Sequence, residues 1–180
     1  VSVVIQKVIM NLKQKKEFFL NNILEEIEKD KDSQEDTKKA AIALFNAAKS
    51  WKIFADEEDV PTKINDLIKP GITNILDLSV YSSTSGFNVR ALVIGLVSKK
   101  IFNQRILARK KEEIDAIRHG IESKNKKEMP LVWLFVDEAH EFLPSTGKTP
   151  ASNALIQILR EGRQPGISLV MATQQPGVIH

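Results

Sequence analysis

Residues 131–141, "LVWLFVDEAHE", decide the fold, because an unbroken apolar run is followed at once by two acidic residues. Such a run is typical of a parallel strand that is covered on both faces. Downstream, Thr149 followed by Pro150 predicts a helix start, and this helix is expected to run to about residue 161. A second apolar run at 167–173 predicts another buried strand. The order strand, helix, strand predicts an α/β domain with a parallel sheet.

Acidic and polar side chains follow both predicted strands. In an open parallel sheet, binding sites form at the carboxyl ends of the strands, where Asp137 and Glu138 are expected. A first carboxylate at such a place can hold Mg²⁺, and a second can polarise the water that attacks a nucleoside triphosphate. The next strand ends in Thr173 and Gln174, and a polar side chain there can contact both the γ-phosphate and that water. A strand that ends in two ordinary surface acids is the alternative interpretation.

Two arginines occupy the turn between the helix and the second strand, in "LREGRQPG" at 159–166. An arginine at a subunit boundary can reach the nucleotide of a neighbouring subunit as a finger. For Arg160 a surface salt bridge is the favoured interpretation, which leaves Arg163 as the candidate finger.

Three stretches together resemble the HerA branch of the HerA/FtsK superfamily, whose members are hexameric ATPases that pump double-stranded DNA through a central channel. They are "LFVDEAHEFLP" at 134–144, "LIQILREGRQPGISLVMATQQPG" at 155–177 and, more loosely, "NILDLS" at 74–79. The resemblance implies a RecA-like P-loop NTPase core, ATP and Mg²⁺ as cofactors, a homo-hexamer, double-stranded DNA as partner and a cytoplasmic location. In archaea, proteins of this kind act in DNA end resection with a nuclease of the NurA type.

The resemblance also implies roles for individual residues. Asp137 corresponds to the aspartate that binds the nucleotide through Mg²⁺, and Glu138 to the catalytic glutamate of the Walker B strand. Arg163 corresponds to the arginine finger or sensor. Gln174 corresponds to the polar sensor that contacts both the nucleotide and the attacking water. The roles of Arg160 and Gln175 stay open.

Other classes of protein are alternatives to this one. The letters "DEAH" at 137–140 and "MAT" at 171–173 are similar to motifs of superfamily 2 DEAH-box helicases. In those enzymes the arginine motif follows far after the third motif, whereas "EGRQPG" at 161–166 precedes "MAT", so the HerA-type interpretation is preferred. A conjugation or secretion ATPase of the same superfamily and a non-catalytic interaction module remain the alternatives.

The stretch "STGKTP" at 145–150 contains the Gly-Lys-Thr that ends a phosphate-binding loop. The full motif is Gly-x-x-x-x-Gly-Lys-Ser/Thr, but Phe142 occupies the position of its first glycine. The loop also follows the acidic strand, whereas the family places it upstream. We therefore predict that Lys148 is not the ATP lysine and that it lies in a DNA-facing or ordinary surface loop. No other such motif occurs, so the sequence is expected to be an internal piece, inactive alone.

The rest of the chain carries no catalytic grouping. Residues 1–58 predict a helical hairpin, an insertion ahead of a partial ATPase core at 59–180. Its first helix is expected at 3–28, and Ser33 with Asp36 forms a capping-box pattern for the second. A buried strand is predicted at 72–79, parallel to the acidic strand, which would then be the middle strand of three. A helix at 88–117 should bury the apolar positions from Val89 to Ile101 and expose a basic second half that includes Arg105.

Composition sets outer limits on function. The chain has 180 residues, a net charge of +3 and no cysteine. The absence of cysteine excludes a disulfide scaffold, a thiolate metal site and a cysteine nucleophile. The small net charge means that any nucleic-acid surface must be local. Apolar runs are too short to cross a membrane, so no membrane segment is expected.

Overall fold

The chain folds into two compact units, Val1–Pro61 and Thr62–His180. A computed structural model describes residues 1–15, 18–81, 89–119 and 129–180. Within those ranges no helix is both long enough and apolar enough to span a bilayer. That the first unit is an insertion into an ATPase core stays a prediction.

The first unit contains three helices, α1 (Ser2–Leu12), α2 (Leu20–Lys29) and α3 (Glu35–Lys49), so the predicted single helix at 3–28 is wrong. An unbroken helix cannot pack against itself, whereas two shorter ones can bury their apolar faces together. The backbone N–H of Phe19 donates to Asn22 Oδ1 at 2.8 Å, which satisfies one amide at the start of α2. One buried cluster joins the three helices: Val4, Val8, Leu12, Ile23, Ile27 and Ala41.

The predicted capping box at Ser33 is also wrong. Gln34 is the N-cap residue of α3 and makes no side-chain capping bond. Ser33 instead donates its hydroxyl to Asp30 Oδ2 at 2.5 Å, and Lys7 Nζ on α1 contacts Asp30 Oδ1 at 2.7 Å. A charged carboxylate is a stronger hydrogen-bond acceptor than an uncharged group, which explains why the Ser33 hydroxyl bonds Asp30 and does not cap α3. Asp30 therefore ties α1 to the link between α2 and α3.

This cluster leads to a pH-dependent prediction for the first unit. The hydrogen bond from Lys7, followed by that from Ser33, lowers the pKa of Asp30 from 3.8 to about 2. Because the folded-state pKa is the lower one, the stabilisation is complete above the unfolded value and is lost as pH falls through the folded value. We expect Asp30→Asn to lower the melting temperature at pH 7 by about 4 °C or more. The difference should shrink between pH 4 and pH 2 when unfolding is followed by circular dichroism.

Asp32→Asn is the matched control for that experiment. Asp32 also contacts Lys7 Nζ at 2.7 Å, but its side chain is 83% exposed. An exposed ion pair contributes little to stability, so this variant should melt within about 2 °C of the unaltered chain. Equal losses in the two variants, or a loss in Asp30→Asn that persists at pH 2, would contradict the assignment to Asp30.

The second unit is an α/β arrangement around two parallel strands, as the sequence predicts. Its elements are α4 (Ile64–Leu67), α5 (Val89–His119), β1 (Val132–Val136), α6 (Ser152–Glu161) and β2 (Ile167–Met171). Two 3₁₀ turns, Ala139–Glu141 and Pro176–Val178, follow the strands. Helix α6 connects β1 to β2, and the parallel register sets Val132 opposite Ile167 and Val136 opposite Met171. The carboxyl ends of both strands therefore lie at one edge of the sheet.

The strand predicted at 72–79 does not form, so β1 is not the middle strand of three in the part of the chain that the structure describes. Ile75 is 90% exposed and therefore gains nothing from burial. At the end of this segment the backbone N–H of Ser79 donates to Asp77 Oδ1 at 2.9 Å. This local bond closes a turn and competes with strand pairing. It also contributes to lowering the pKa of Asp77.

Helix α5 forms at Val89–His119, close to the predicted bounds; the predicted first residue, Asn88, lies outside the described residues. Its buried face differs from the predicted one, since Leu96 is exposed while Ala91 and Ser98 are buried. The cause is a close approach between α5 and the start of α6. A Cβ added at Gly95 would lie 2.6 Å from the carbonyl oxygen of Pro150. A small residue is thus required at this contact, whereas Val89, Ile101 and Phe102 are buried elsewhere on α5.

Candidate active site

The predicted acidic and amide side chains meet at the carboxyl edge of the sheet. The hydrogen-bond ladder continues past both strands, because Ala172 N–H donates to the Val136 carbonyl and Ala139 N–H donates to the Ala172 carbonyl, each at 2.9 Å. This keeps the two strand ends in register. Gln174 Nε2 then donates to Glu138 Oε1 at 2.9 Å across the gap between them. Asp137 and Glu138 follow β1 directly, so three of the four predicted site residues share this edge.

The backbone of Glu138 adopts a conformation that non-glycine residues rarely take. Its φ is 46° and its ψ is 46°, in the left-handed region. Such a conformation costs on the order of 1 kcal/mol and persists only where the surroundings enforce it, which is common at functional sites. The N–H of Glu138 donates to Asp137 Oδ1 at 2.9 Å, a short-range bond that helps to hold this turn. The strained turn joins β1 to the 3₁₀ turn that follows, and the Glu138 carboxylate meets Gln174.

His140 joins the cluster although the sequence interpretation assigned it no role. Its Nδ1 lies 3.0 Å from Thr173 Oγ1 and 3.3 Å from Glu138 Oε2, and its side chain is 18% exposed. Glu138 Oε2 is itself buried and has no hydrogen-bond partner among the described residues. His140 and Thr173 thus link the same two strand ends as Gln174 and Glu138 do. The signal for it in the sequence is its place two residues after Glu138, in the letters "DEAH" at 137–140.

The residues at this edge suit a Mg²⁺ ion that arrives with a nucleotide. Asp137 is exposed, and one of its carboxylate oxygens makes no hydrogen bond to a described residue. Mg²⁺ is usually held by one or two carboxylates together with waters and substrate phosphates. Over the described ranges, no group of three or more metal-binding side chains occurs. Asp137 could therefore contribute one ligand to an ion whose other ligands are waters and phosphates.

Arg163 lies at the other edge of the sheet. It is exposed and belongs to the turn that precedes β2, whereas Asp137 follows the end of β1. Five paired residues separate the two edges, a span of about 16 Å at 3.3 Å per residue. The side chain of Arg163 makes no hydrogen bond or ion pair with a described residue. Neither does that of Arg160, so the surface salt bridge predicted for Arg160 is not found among the described residues. Within one chain Arg163 therefore stays apart from the carboxylate cluster.

The "STGKTP" stretch forms an exposed loop between β1 and α6. Helix α6 begins at Ser152, two residues later than the predicted Pro150, and Ala151 is its N-cap. Two backbone amides at this helix start already have partners: Thr149 N–H donates to Ser152 Oγ at 2.9 Å, and Ala151 N–H donates to Thr149 Oγ1 at 3.2 Å. A phosphate cradle needs such amides to be free. The arrangement agrees with the prediction that Lys148 does not bind ATP phosphates, which stays a prediction.

Fold and site together define a class: an α/β protein with paired parallel strands and an acidic, amide-bearing cluster at their carboxyl ends. No protein-family model matches the chain. It is 30% identical over 126 residues to the DNA double-strand break repair helicase HerA of Pyrococcus furiosus, a match that covers 63% of this chain and 22% of that protein. It is also 32% identical over 124 residues to a probable DNA double-strand break repair helicase HerA of Methanocaldococcus jannaschii. This match covers 61% of this chain and 24% of that protein.

The chain is therefore a relative of HerA-type helicases, as its motifs predict. It spans about a quarter of the length of these curated relatives.

Proposed function

We propose that this chain is the Walker B and sensor part of a RecA-like ATPase core, in a hexameric translocase of the HerA type that moves double-stranded DNA. In this proposal Asp137 binds ATP through Mg²⁺, Glu138 activates the attacking water, and Gln174 senses the γ-phosphate. Arg163 acts as a finger on the nucleotide of the neighbouring subunit. Cytoplasmic location and a NurA-type nuclease partner follow from the family resemblance.

One observation carries the proposal: Glu138 has a strained backbone with positive φ, and its carboxylate accepts a hydrogen bond from Gln174, which follows the adjacent strand. A merely structural surface acid gains nothing from a strained backbone and a buried, unpartnered oxygen. In this arrangement one hydrogen bond from Gln174 Nε2 holds Glu138 Oε1 toward the adjacent strand. A γ-phosphate that draws the Gln174 amide toward itself would let the Glu138 carboxylate turn toward the attacking water and accept its proton. Nucleotide binding and base activation would then be coupled.

Each residue contributes a distinct step. Asp137 presents a carboxylate at the exposed strand end, where it can orient a hydrated cation. Mg²⁺, when bound, supplies the positive charge that neutralises the phosphate oxygens. Glu138 holds the attacking water and takes its proton. His140 Nδ1 lies 3.3 Å from Glu138 Oε2 and packs beside the carboxylate.

The proposal predicts a clear difference between the isolated chain and the complete natural polypeptide. Residues 1–180 contain the carboxylates but no Gly-x-x-x-x-Gly-Lys motif, so the amides and lysine that hold β- and γ-phosphates are missing. We expect the isolated chain to show no measurable Mg-ATP binding by calorimetry and no turnover. The complete polypeptide, with whatever sequence its gene encodes beyond these residues, should hydrolyse ATP, and double-stranded DNA should stimulate it.

Lys148→Ala is the control for this experiment, and it should leave nucleotide binding by the complete polypeptide unchanged. Tight ATP binding by the isolated chain that disappears in Lys148→Ala would contradict the proposal. Stimulation by single-stranded DNA or by a translocated protein, without stimulation by double-stranded DNA, would favour a conjugation or secretion ATPase. Absence of hydrolysis in the complete polypeptide would favour an interaction module.

A further inference from the structure

We propose that Arg105 is a positioning residue for Arg163: it fixes the turn that carries the arginine finger. The inference rests on the proposed ATPase function and adds to it a residue on a different helix. Arg105 lies in α5, in the stretch predicted to be a solvated basic face, and that prediction is wrong for this residue. Its side chain is 0% exposed and is one of the largest fully buried side chains among the described residues.

The guanidinium of Arg105 holds backbone carbonyls that precede both strands. Nε donates to the Pro165 carbonyl and Nη1 to the Met129 carbonyl, each at 2.7 Å. Pro165 lies two residues after Arg163, and Met129 lies three residues before β1. Nη1 also contacts Glu112 Oε1 at 3.1 Å, which balances the buried charge. One side chain thus ties α5 to the amino edge of the sheet at two points.

The turn that carries Arg163 is held at every neighbouring position. Its own carbonyl accepts the N–H of Gly166 at 3.2 Å, and the Gly162 carbonyl accepts the N–H of Ile167 at 2.7 Å. Gly166 has a φ of +83°, and a Cβ there would collide with the Leu131 side chain. The Arg105 bond to Pro165 closes the remaining side of the turn. Because the Arg163 side chain has no partner among the described residues, only the backbone fixes the point and the Cα–Cβ direction from which it extends.

The chemistry at Arg105 favours a geometric role over simple packing. An apolar side chain of similar volume would avoid the cost of burying a charge, and such replacements are often neutral or stabilising. A planar guanidinium, however, holds two acceptors in a fixed relation to each other, which a lysine cannot do. Misplacing a reacting group by about 1 Å can lower a rate by about 10²-fold. We therefore expect loss of the Arg105 contacts to affect turnover through Arg163 more than it affects the stability of the sheet.

Arg105→Lys in the complete polypeptide tests this role, with Arg105→Met as a second variant. We expect Arg105→Lys to lower kcat for ATP by between about tenfold and 10²-fold, with KM for ATP within about twofold of the unaltered value. The decisive measurement is a double-mutant cycle. When Arg163 is already alanine, Arg105→Lys should change kcat by less than about twofold, because its effect passes through Arg163.

Arg109→Lys is the matched control, because Arg109 lies one turn further along α5 and contacts the same Glu112, but at 3.6 Å and with no backbone carbonyl contact. It should leave kcat unchanged. Equal losses of kcat from Arg105→Lys in the presence and absence of Arg163 would overturn the proposal and leave Arg105 a fold anchor. A normal kcat in Arg105→Lys would overturn it as well. If Arg163→Ala alone has no effect, the finger assignment fails; if the unaltered polypeptide does not hydrolyse ATP, the proposed function fails.

Discussion

Arg163→Ala is expected to lower ATP turnover by about 10³-fold in the assembled protein while ATP binding stays nearly unchanged. Arg163 lies at the amino edge of the sheet and Glu138 at the carboxyl edge, so the arginine cannot serve the nucleotide of its own chain without a large rearrangement. An arginine finger acts on charge that develops in the transition state, and its loss therefore affects kcat more than binding. Turnover and equilibrium binding of a fluorescent ATP analogue, measured on the same preparation, separate the two effects.

Arg160→Ala provides the control, since Arg160 is exposed in the last turn of α6 and makes no ion pair with a described residue. It should hydrolyse ATP within about twofold of the unaltered rate. A mixing experiment adds a test of action between subunits. Arg163→Ala and Glu138→Gln subunits are each expected to be nearly inactive alone. Mixed assemblies should regain part of the activity, because some interfaces combine an intact arginine with an intact glutamate. Failure of mixed assemblies to recover any activity would contradict a finger that acts across subunits.

The carboxyl edge of the sheet could be predicted because its features are local in the sequence. A short apolar run ending in Asp137 and Glu138, and a second ending in Gln174, fix which side chains meet once the strands are parallel. The parallel register of β1 and β2 then brings the carboxyl ends of the two strands side by side. The sequence does not predict that His140 belongs to the site, because a histidine close to two acidic residues is common on protein surfaces. Only the distances to Thr173 and Glu138 connect it to the site.

The features that the sequence did not reveal depend on contacts between distant segments. Helical periodicity continues through residues 3–28, and only tertiary packing breaks the helix into α1 and α2. The apolar letters at 72–79 have a strand-like composition, but a strand requires a partner, and composition does not supply one. Arg105 lies in a run of charged residues, a pattern that predicts exposure to solvent. Its burial follows from carbonyls 24 and 60 residues away, which no local pattern records.

Glu138→Gln in the complete polypeptide is expected to bind ATP normally and to hydrolyse it at least about 10²-fold more slowly, the usual scale for loss of a general base. The amide keeps the size of the carboxylate, and its oxygen can still accept the hydrogen bond that Gln174 Nε2 donates at 2.9 Å. The strained backbone is unchanged by this substitution, so the melting temperature should stay within about 2 °C.

Glu141→Gln is the matched control for Glu138→Gln, because Glu141 ends the 3₁₀ turn that Glu138 precedes. Glu141 pairs with Arg90 at 3.0 Å and makes no hydrogen bond with Gln174. Single-turnover hydrolysis in the control should remain within about twofold of the unaltered protein. If both variants hydrolyse ATP at the unaltered rate, the base lies elsewhere, and the strained turn at Glu138 has another purpose. If both are equally slow, the turn as a whole supports activity. A slow Glu138→Gln beside a normal Glu141→Gln assigns proton transfer to one carboxylate, because the two substitutions remove the same charge from positions three residues apart.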